Sequence, residues 1–249
     1  MSDAVLKLPF DWLTPDWPAP AHVRACVTTS SGGDSVGPFA AFNLGEHVGD
    51  SLEQVRTNRD YLAEVVSCQP TWLEQVHGDR VVIADAQRTL VADASVTREA
   101  NVACCIMSAD CLPVLFTDQV GSCVAAAHAG WRSLAAGILE NTVVSMQVAP
   151  QQLLAWLGPA IGPAAFEVGG EVRAAFIQQH PEAAQAFVPS KNPRRWMADI
   201  YQLARIRLAA CGVTAVYGGG LCTVTDPRFY SYRRQPETGR FASLIWITE

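Results

Sequence analysis

Three short apolar runs, at residues 102–107, 113–117 and 122–128, follow one another almost without interruption, and they constrain this chain more than any other feature. Runs of this kind read as strands, so the middle of the chain carries a block of sheet. What interrupts them is polar and small. Between the first two lies Ser108-Ala109-Asp110-Cys111-Leu112-Pro113, and a buried carboxylate is costly without a partner. Pro113 has no N–H to give to a sheet ladder, so a strand must break or begin there. The third run leads through Ala126-Ala127-His128-Ala129 into Gly130-Trp131-Arg132. Small residues let other groups approach that backbone closely, and Gly130 permits a sharp turn from strand into helix.

Periodicity places further elements around this block. A strand is expected at 23–29 and a helix at 51–66, where Ser51-x-x-Gln54 matches a capping box and Leu52, Val55, Leu62 and Val66 share a face. Strands are expected at 72–76, 80–83 and 153–157, a helix at 133–146 capped by Ser133, and a rigid Gly/Pro loop at 158–163. A helix over about 170–179, loops or short turns over 180–198 and a helix over 199–211 follow. Asp199-x-x-Gln202 caps the last of these and Gly212 ends it. Strands at 213–217 and 241–247 complete the pattern. Strands and helices interleave without a strict βαβ rhythm, which implies an α+β fold with mixed sheets. No linker divides residues 1–249, so one domain is expected.

Composition removes several classes of function. With 49% apolar and 17% charged residues the chain is no disordered tail, and 249 residues can bury a full core. A formal charge of −6 argues against nucleic acid, whose partners show a basic face. No segment approaches the ~20 apolar residues of a membrane span, and residues 1–16 hold no stretch of signal-peptide type. The cysteines (Cys26, Cys68, Cys104, Cys105, Cys111, Cys123, Cys211 and Cys222) include no C-x-x-C pair. A reduced, cytoplasmic protein whose cysteines mostly fill the core is the simplest reading.

Chemistry gathers at strand ends. Gln75-Val76-His77-Gly78 closes one expected strand, so His77, Cys111 and His128 stand at the ends of three. If these strands end on one side of a shared sheet, the side chains converge. Two imidazoles and a thiolate form a zinc ligand set with the fourth position open, as catalytic sites require, and water bound there is acidified. The separations of 34 and 17 residues are no local metal motif. The same residues permit a metal-free nucleophile, Cys111 activated by His128 or His77 with Asp110 orienting the base. Plain structural roles for all three also stay open. Copper can use two histidines and a cysteine, but five histidines with no His-x-His pair cannot furnish a multicopper site.

Other patches suit a substrate. Residues 43–50 form a polar loop ahead of a helix, and Arg132 and Ser133 lie at a helix start, where an anion is favoured. Phe229-Tyr230-Ser231-Tyr232-Arg233-Arg234 offers aromatic faces for a planar base and cations for an anion, or is simply a solvated loop. There is no phosphate-binding P-loop, dinucleotide fingerprint or zinc-deaminase signature.

Six clusters stand in one order: Asn43-Leu44-Gly45 with Val48-Gly49-Asp50, then Gln75-Val76-His77-Gly78, Ala109-Asp110-Cys111-Leu112-Pro113, His128-Ala129-Gly130-Trp131-Arg132, Gly158-Pro159-Ala160-Ile161-Gly162 and the aromatic-arginine run. In this the chain resembles the YfiH/laccase-domain family, also labelled polyphenol oxidase, over roughly residues 20–247. The resemblance implies a single-domain α/β/β/α sandwich and a metal site on His77, Cys111 and His128. It also implies conflicting activities: purine nucleoside phosphorolysis with adenosine deamination and methylthioadenosine cleavage, an older laccase label, and removal of an amino acid from UDP-linked muramic acid.

The leading expectation is a zinc-dependent purine nucleoside enzyme. Phosphorolysis would release free base and ribose 1-phosphate from adenosine, inosine and methylthioadenosine, and adenosine would be deaminated at the same site. Asp110 is the candidate acid/base beside Cys111 and His128. Arg132 and Arg233 are candidate phosphate clamps with Arg59 behind them, Asn43 a sugar contact and Tyr232 a stacking face. The alternatives are a muramoyl amidase, a copper polyphenol oxidase, and a non-catalytic metal-stabilised binding protein in which Cys105 or His47 closes the metal's fourth position. A small-molecule substrate is expected, with no nucleic acid, membrane or obligate protein partner.

Overall fold

Along β7 (Val102–Ser108) successive side chains serve two different cores. Ala103, Cys105 and Met107 pack outward with Leu62 and Val66 of α1 (Leu52–Val66), while Cys104 and Ile106 face inward with Leu115, Val124 and Trp156. Strand β8 (Leu112–Asp118) divides the same way, with Leu115 inward and Leu112, Val114 and Phe116 on its other face. Period-two alternation between apolar faces explains why these runs are apolar throughout. The result is three stacked cores, and hence four layers, in a computed structural model that describes residues 8–249.

One layer is a four-stranded sheet in the order β1 (Val23–Val27), β15 (Phe241–Ile247), β7 and β2 (Gln69–Thr71). It faces a six-stranded sheet in the order β14 (Ala215–Gly218), β10 (Leu153–Leu157), β8, β9 (Val124–Ala129), β6 (Ala94–Thr97) and β4 (Val81–Ile83). Both are mixed: β2–β7, β10–β14 and β4–β6 pair in parallel and the remaining neighbours antiparallel. Helices α2 (Trp131–Ala136), α3 (Ile138–Met146), α4 (Gly170–Ile177) and α5 (Ile200–Ala210) cover the larger sheet. Smaller sheets join β11 (Glu167–Gly169), β13 (Arg195–Ala198) and β12 (Phe187–Pro189), and β3 (Leu73–Glu74) with β5 (Leu90–Val91). The architecture is the expected α/β/β/α sandwich of the α+β class. Phe116, fully buried against the helices, illustrates what holds it: truncation to alanine there costs about 3–5 kcal/mol.

Several local expectations change. The helix expected at 133–146 is two, because Gly137 takes φ +106° and breaks it. Its N-cap is Gly130, and the Ser133 hydroxyl is buried without a hydrogen-bond partner among the described residues. Ser51 precedes α1 but its side chain caps nothing; Asp50 accepts the Ser51 N–H at 2.8 Å, and Gln54 reaches the Asp34 carbonyl at 2.9 Å. Asp199 does cap α5, accepting from Gln202 N at 3.0 Å, and Gly212 follows it at φ +86°. The segment 180–198 holds β12 and β13 as well as turns, and the strand expected at 72–76 contracts to the two residues of β3. All eight cysteines are free, with Cys111, Cys211 and Cys222 half-buried and the others buried. Among the described residues no helix is long and apolar enough to cross a membrane; of the stretch 1–16 read for a signal, residues 1–7 lie outside the described part.

Candidate metal centre

Strand register brings the three donors together. In the β8–β9 ladder Leu112 pairs with Ala129 and Pro113 with His128, so Cys111, one residue before β8, falls opposite Gly130. In the β6–β9 ladder Ala94 pairs with Ala127, which sets Asp93 beside His128. His77 comes from the loop ahead of β4, the next strand over. Four adjacent strands thus deliver His77, Asp93, His128 and Cys111 to one end of the larger sheet.

His77 is held there by two devices. Its loop is tied to β7 by Gln75, whose side-chain amide exchanges two 2.8 Å hydrogen bonds with the Met107 backbone. Its backbone sits at φ +60°, a left-handed conformation uncommon outside glycine. That conformation is stabilised because three successive N–H groups, of Val76, His77 and Gly78, donate to the Asp93 carboxylate at 3.1, 3.0 and 2.7 Å. The same carboxylate takes His128 Nδ1 at 2.8 Å. It therefore fixes the His128 ring and leaves Nε2 for a ligand. Asp93 is fully buried and belongs to none of the motifs legible in the sequence; its only signal is a lone acid inside the apolar stretch 90–97.

The donor atoms of His77, Cys111 and His128 lie within 4.8 Å of one another. Cys111 Sγ is 3.8 Å from His77 Nε2, and the two imidazole rings meet edge-on with centroids 4.8 Å apart. Tetrahedral zinc spaces a thiolate and an imidazole nitrogen about 3.6 Å apart, so the donor set and its spacing fit such an ion. Among the described residues no further His, Cys, Asp or Glu joins the group. Cys105 is buried in the outer core, and His47 lines the adjoining cleft. Gly130 lets the donors close up: a Cβ there would lie 2.9 Å from Cys111 Sγ and 3.1 Å from His77 Cδ2.

Charge is arranged to suit. Burial pushes the Cys111 thiol up, but the His128 cation and hydrogen bonds from His128 and His77 outweigh it and bring it down to about 6. Burial lowers His128, but the Cys111 thiolate and the Asp93 hydrogen bond raise it to about 9. Asp93 is raised by burial and lowered by its bonds from His128 and Gly78, ending below the usual carboxylate range. Without metal the pair rests as thiolate and imidazolium.

The centre opens into a cleft of about 390 Å³, the size of a small-molecule site. Met107, Trp131, Ile161, Phe166 and Ile200 give it apolar walls, and Arg132, Tyr232, Arg233 and Arg240 supply polar groups. Arg132 stacks on Trp131, 4.5 Å from the ring centroid. Tyr232 is exposed on the rim. Arg233 spends both terminal nitrogens on the carbonyls of Ala165 and Glu167, at 2.9 and 3.2 Å. Asp110, at φ +88°, lines the cleft too, but its carboxylate accepts the Thr223 hydroxyl and, at 2.6 Å, the Arg233 N–H.

Two expected contacts are not brought there. The Asn43 amide is buried and wholly engaged with Gly45, Asp50 and the Arg240 N–H. Arg59 holds the Leu44 carbonyl and Glu46 and lies 4.0 Å over Trp72. Both brace the cleft wall from behind.

Fold and centre together define a class: a four-layer α/β/β/α protein with an open two-histidine, one-cysteine site in a cleft at the end of its larger sheet. The chain belongs to the family described as multi-copper polyphenol oxidoreductase laccase, whose model matches residues 24–248. It is 65% identical to the purine nucleoside phosphorylase PA4543 of Pseudomonas aeruginosa, over 96% of this chain and 99% of that one. It is 49% identical to the purine nucleoside phosphorylase YfiH of Escherichia coli, over 94% of this chain and 98% of that one. Among solved structures it is similar to the protein NMB0706 of Neisseria meningitidis, with a TM-score of 0.94, 50% identity, and coverage of 96% of this chain and all of that one.

Proposed function

We propose that this chain is a single catalytic domain that acts on purine nucleosides, splitting adenosine, inosine and methylthioadenosine with phosphate and deaminating adenosine at the same centre, with zinc as its metal. The observation that carries this reading is the join of near-full-length relatives named purine nucleoside phosphorylase to a cleft that pairs the His77, Cys111 and His128 donors with arginines and aromatic faces.

In phosphorolysis a phosphate oxygen attacks ribose C1′, the bond from C1′ to the base nitrogen breaks, and its electrons pass to the purine, which takes a proton. Arginines along the cleft bind the phosphate and stabilise charge in the transition state. Arg132 is one candidate, since its guanidinium makes no hydrogen bond among the described residues and only stacks on Trp131. Tyr232 and Trp131 provide faces for the planar base. Asp110 serves as an acid/base group only by exchanging one of its present partners, so in the resting protein its part is to hold the Tyr232–Arg233 loop. Asn43 and Arg59 act through the wall they brace. His77, Cys111 and His128 would hold zinc, which would supply Lewis acidity of the kind that acidifies a water.

The test is direct. Metal-analysed protein is incubated with adenosine, with and without phosphate. Ribose 1-phosphate and adenine in the phosphate arm, inosine in both, and stoichiometric zinc are expected; none of these products, or copper with oxygen uptake on phenols, removes the reading. Eight free cysteines accord with a reducing, cytoplasmic setting.

A further inference from the structure

Arg240 lies outside every motif of the sequence, yet it lines the cleft with His47, Cys111, Asp110 and Tyr232. Its setting is built. The backbone N–H donates to Asn43 Oδ1 at 2.8 Å, which anchors the residue to the polar loop ahead of α1. Nη1 donates to the carbonyls of Thr238 at 3.0 Å and Gly239 at 2.9 Å, which uses both of its hydrogens. The aliphatic stem lies on Gly45, where a Cβ would come within 2.8 Å of Arg240 Cγ. So the side chain has little freedom left to lose on binding.

What remains is the edge formed by Nε–H and Nη2–H. That edge is a planar fork that meets two oxygens of one oxyanion side by side. Among the described residues it has no hydrogen-bond acceptor, and no carboxylate forms an ion pair with Arg240. Asp110 lines the same cleft, but its oxygens are taken by Thr223 and the Arg233 N–H. Burying a guanidinium that no carboxylate pairs directly is costly; burial lowers its proton affinity, and the more distant charges of Cys111 and Asp110 offset that only in part. Such a group is stabilised by an anion that enters the cleft. The other arginines are less suited: Arg132 sits exposed and stacked at the rim, and Arg233 is committed to two carbonyls.

We propose that the Nε/Nη2 edge of Arg240 is the oxyanion subsite of the cleft and that inorganic phosphate is its occupant. The phosphate's role as co-substrate rests on the reading as a phosphorolytic enzyme; the subsite itself does not.

Inorganic phosphate is titrated calorimetrically into the purified holoprotein and into R240K, R240M and R132M, each checked for zinc content and thermal unfolding. The wild type binds one phosphate. R240K keeps the charge but loses the fork and binds at least about tenfold more weakly, R240M more weakly still, and R132M loses less than R240K. In the phosphorolysis assay R240K raises KM for phosphate by a similar factor and leaves KM for inosine within about twofold. Unchanged phosphate binding in R240K, transfer of the loss to R132M, or a wild type that takes up no phosphate overturns the assignment. If R240M does not fold, R240K decides. Phosphate bound through Arg240 without any phosphorolysis would retain the subsite and remove the functional reading. Phosphorolysis indifferent to R240K would do the reverse.

Discussion

Asp93→Asn is the sharpest test of how the centre is built. Each oxygen of Asp93 serves two donors: Oδ1 takes His77 N and His128 Nδ1, and Oδ2 takes Val76 N and Gly78 N. An asparagine fits the space but offers one oxygen. Whichever way its amide turns, an NH₂ group faces one of the two pairs, and two buried or part-buried donors lose their acceptor. At roughly 1–3 kcal/mol for each unsatisfied group the cost is about 2–6 kcal/mol. For a chain of this size 1 kcal/mol shifts Tm by roughly 2–4 °C, so the midpoint falls by at least about 4 °C. Metal binding falls as well, since loss of the partner that orients a ligand histidine typically costs about 10–100-fold in affinity. The assays are calorimetric unfolding and zinc competition against a chromogenic chelator. The exposed Asp60 on α1 supplies a control in Asp60→Asn. If Asp93→Asn kept the wild-type midpoint and held zinc within about twofold, the carboxylate would not be what organises the two histidines.

Other expectations follow from the same geometry. Gly130→Ala inserts a methyl group 2.9 Å from Cys111 Sγ; the overpacking costs about 1–3 kcal/mol and spreads the donors, so zinc affinity by competition falls while the circular dichroism spectrum is retained. In metal-free protein, iodoacetamide labels Cys111 with a midpoint near pH 6: its depressed pKa makes the thiolate fraction rise through that pH and plateau above it. Cys68 and Cys104, pushed up to about 12 by burial, stay unlabelled by mass spectrometry, and added zinc protects Cys111. Tyr201→Phe removes the hydroxyl that accepts the Ala160 N–H at 2.9 Å and donates to the facing carbonyls. It lowers stability by about 1–3 kcal/mol, read as a falling denaturant midpoint at constant m-value.

The parts legible in the sequence were those written in a local pattern. β7, β8, β9 and β15 announce themselves as apolar runs, and α5 by its stripe and its Asp199 cap. The centre is legible in part because Cys111 and His128 flank or end such runs, while His77 lies in the loop ahead of β4. Asp93 was not legible, because its four partners arrive from β9 and from a loop 15 to 17 residues away. Arg240 was hidden for a similar reason, since its fixing acceptor, Asn43, lies 197 positions earlier. Conversely, Asn43 and Arg59 read from the sequence as sugar and phosphate contacts, whereas their side chains are satisfied by backbone carbonyls and by Asp50 and Glu46. The break at Gly137 is silent in the sequence because a helical hydrophobic pattern continues across it; only the backbone angle tells.

Asp110 has one further consequence. Its carboxylate grips the backbone of Arg233, and its own carbonyl carbon is bonded to the nitrogen of Cys111. The rim loop that presents Tyr232 and the sulfur donor are therefore one mechanical part, joined through a single residue. A ligand that draws the loop inward pulls on the thiolate at the same moment. The visible spectrum of a cobalt-loaded protein would then register cleft occupancy, with the centre serving as its own built-in gauge of what the cleft holds.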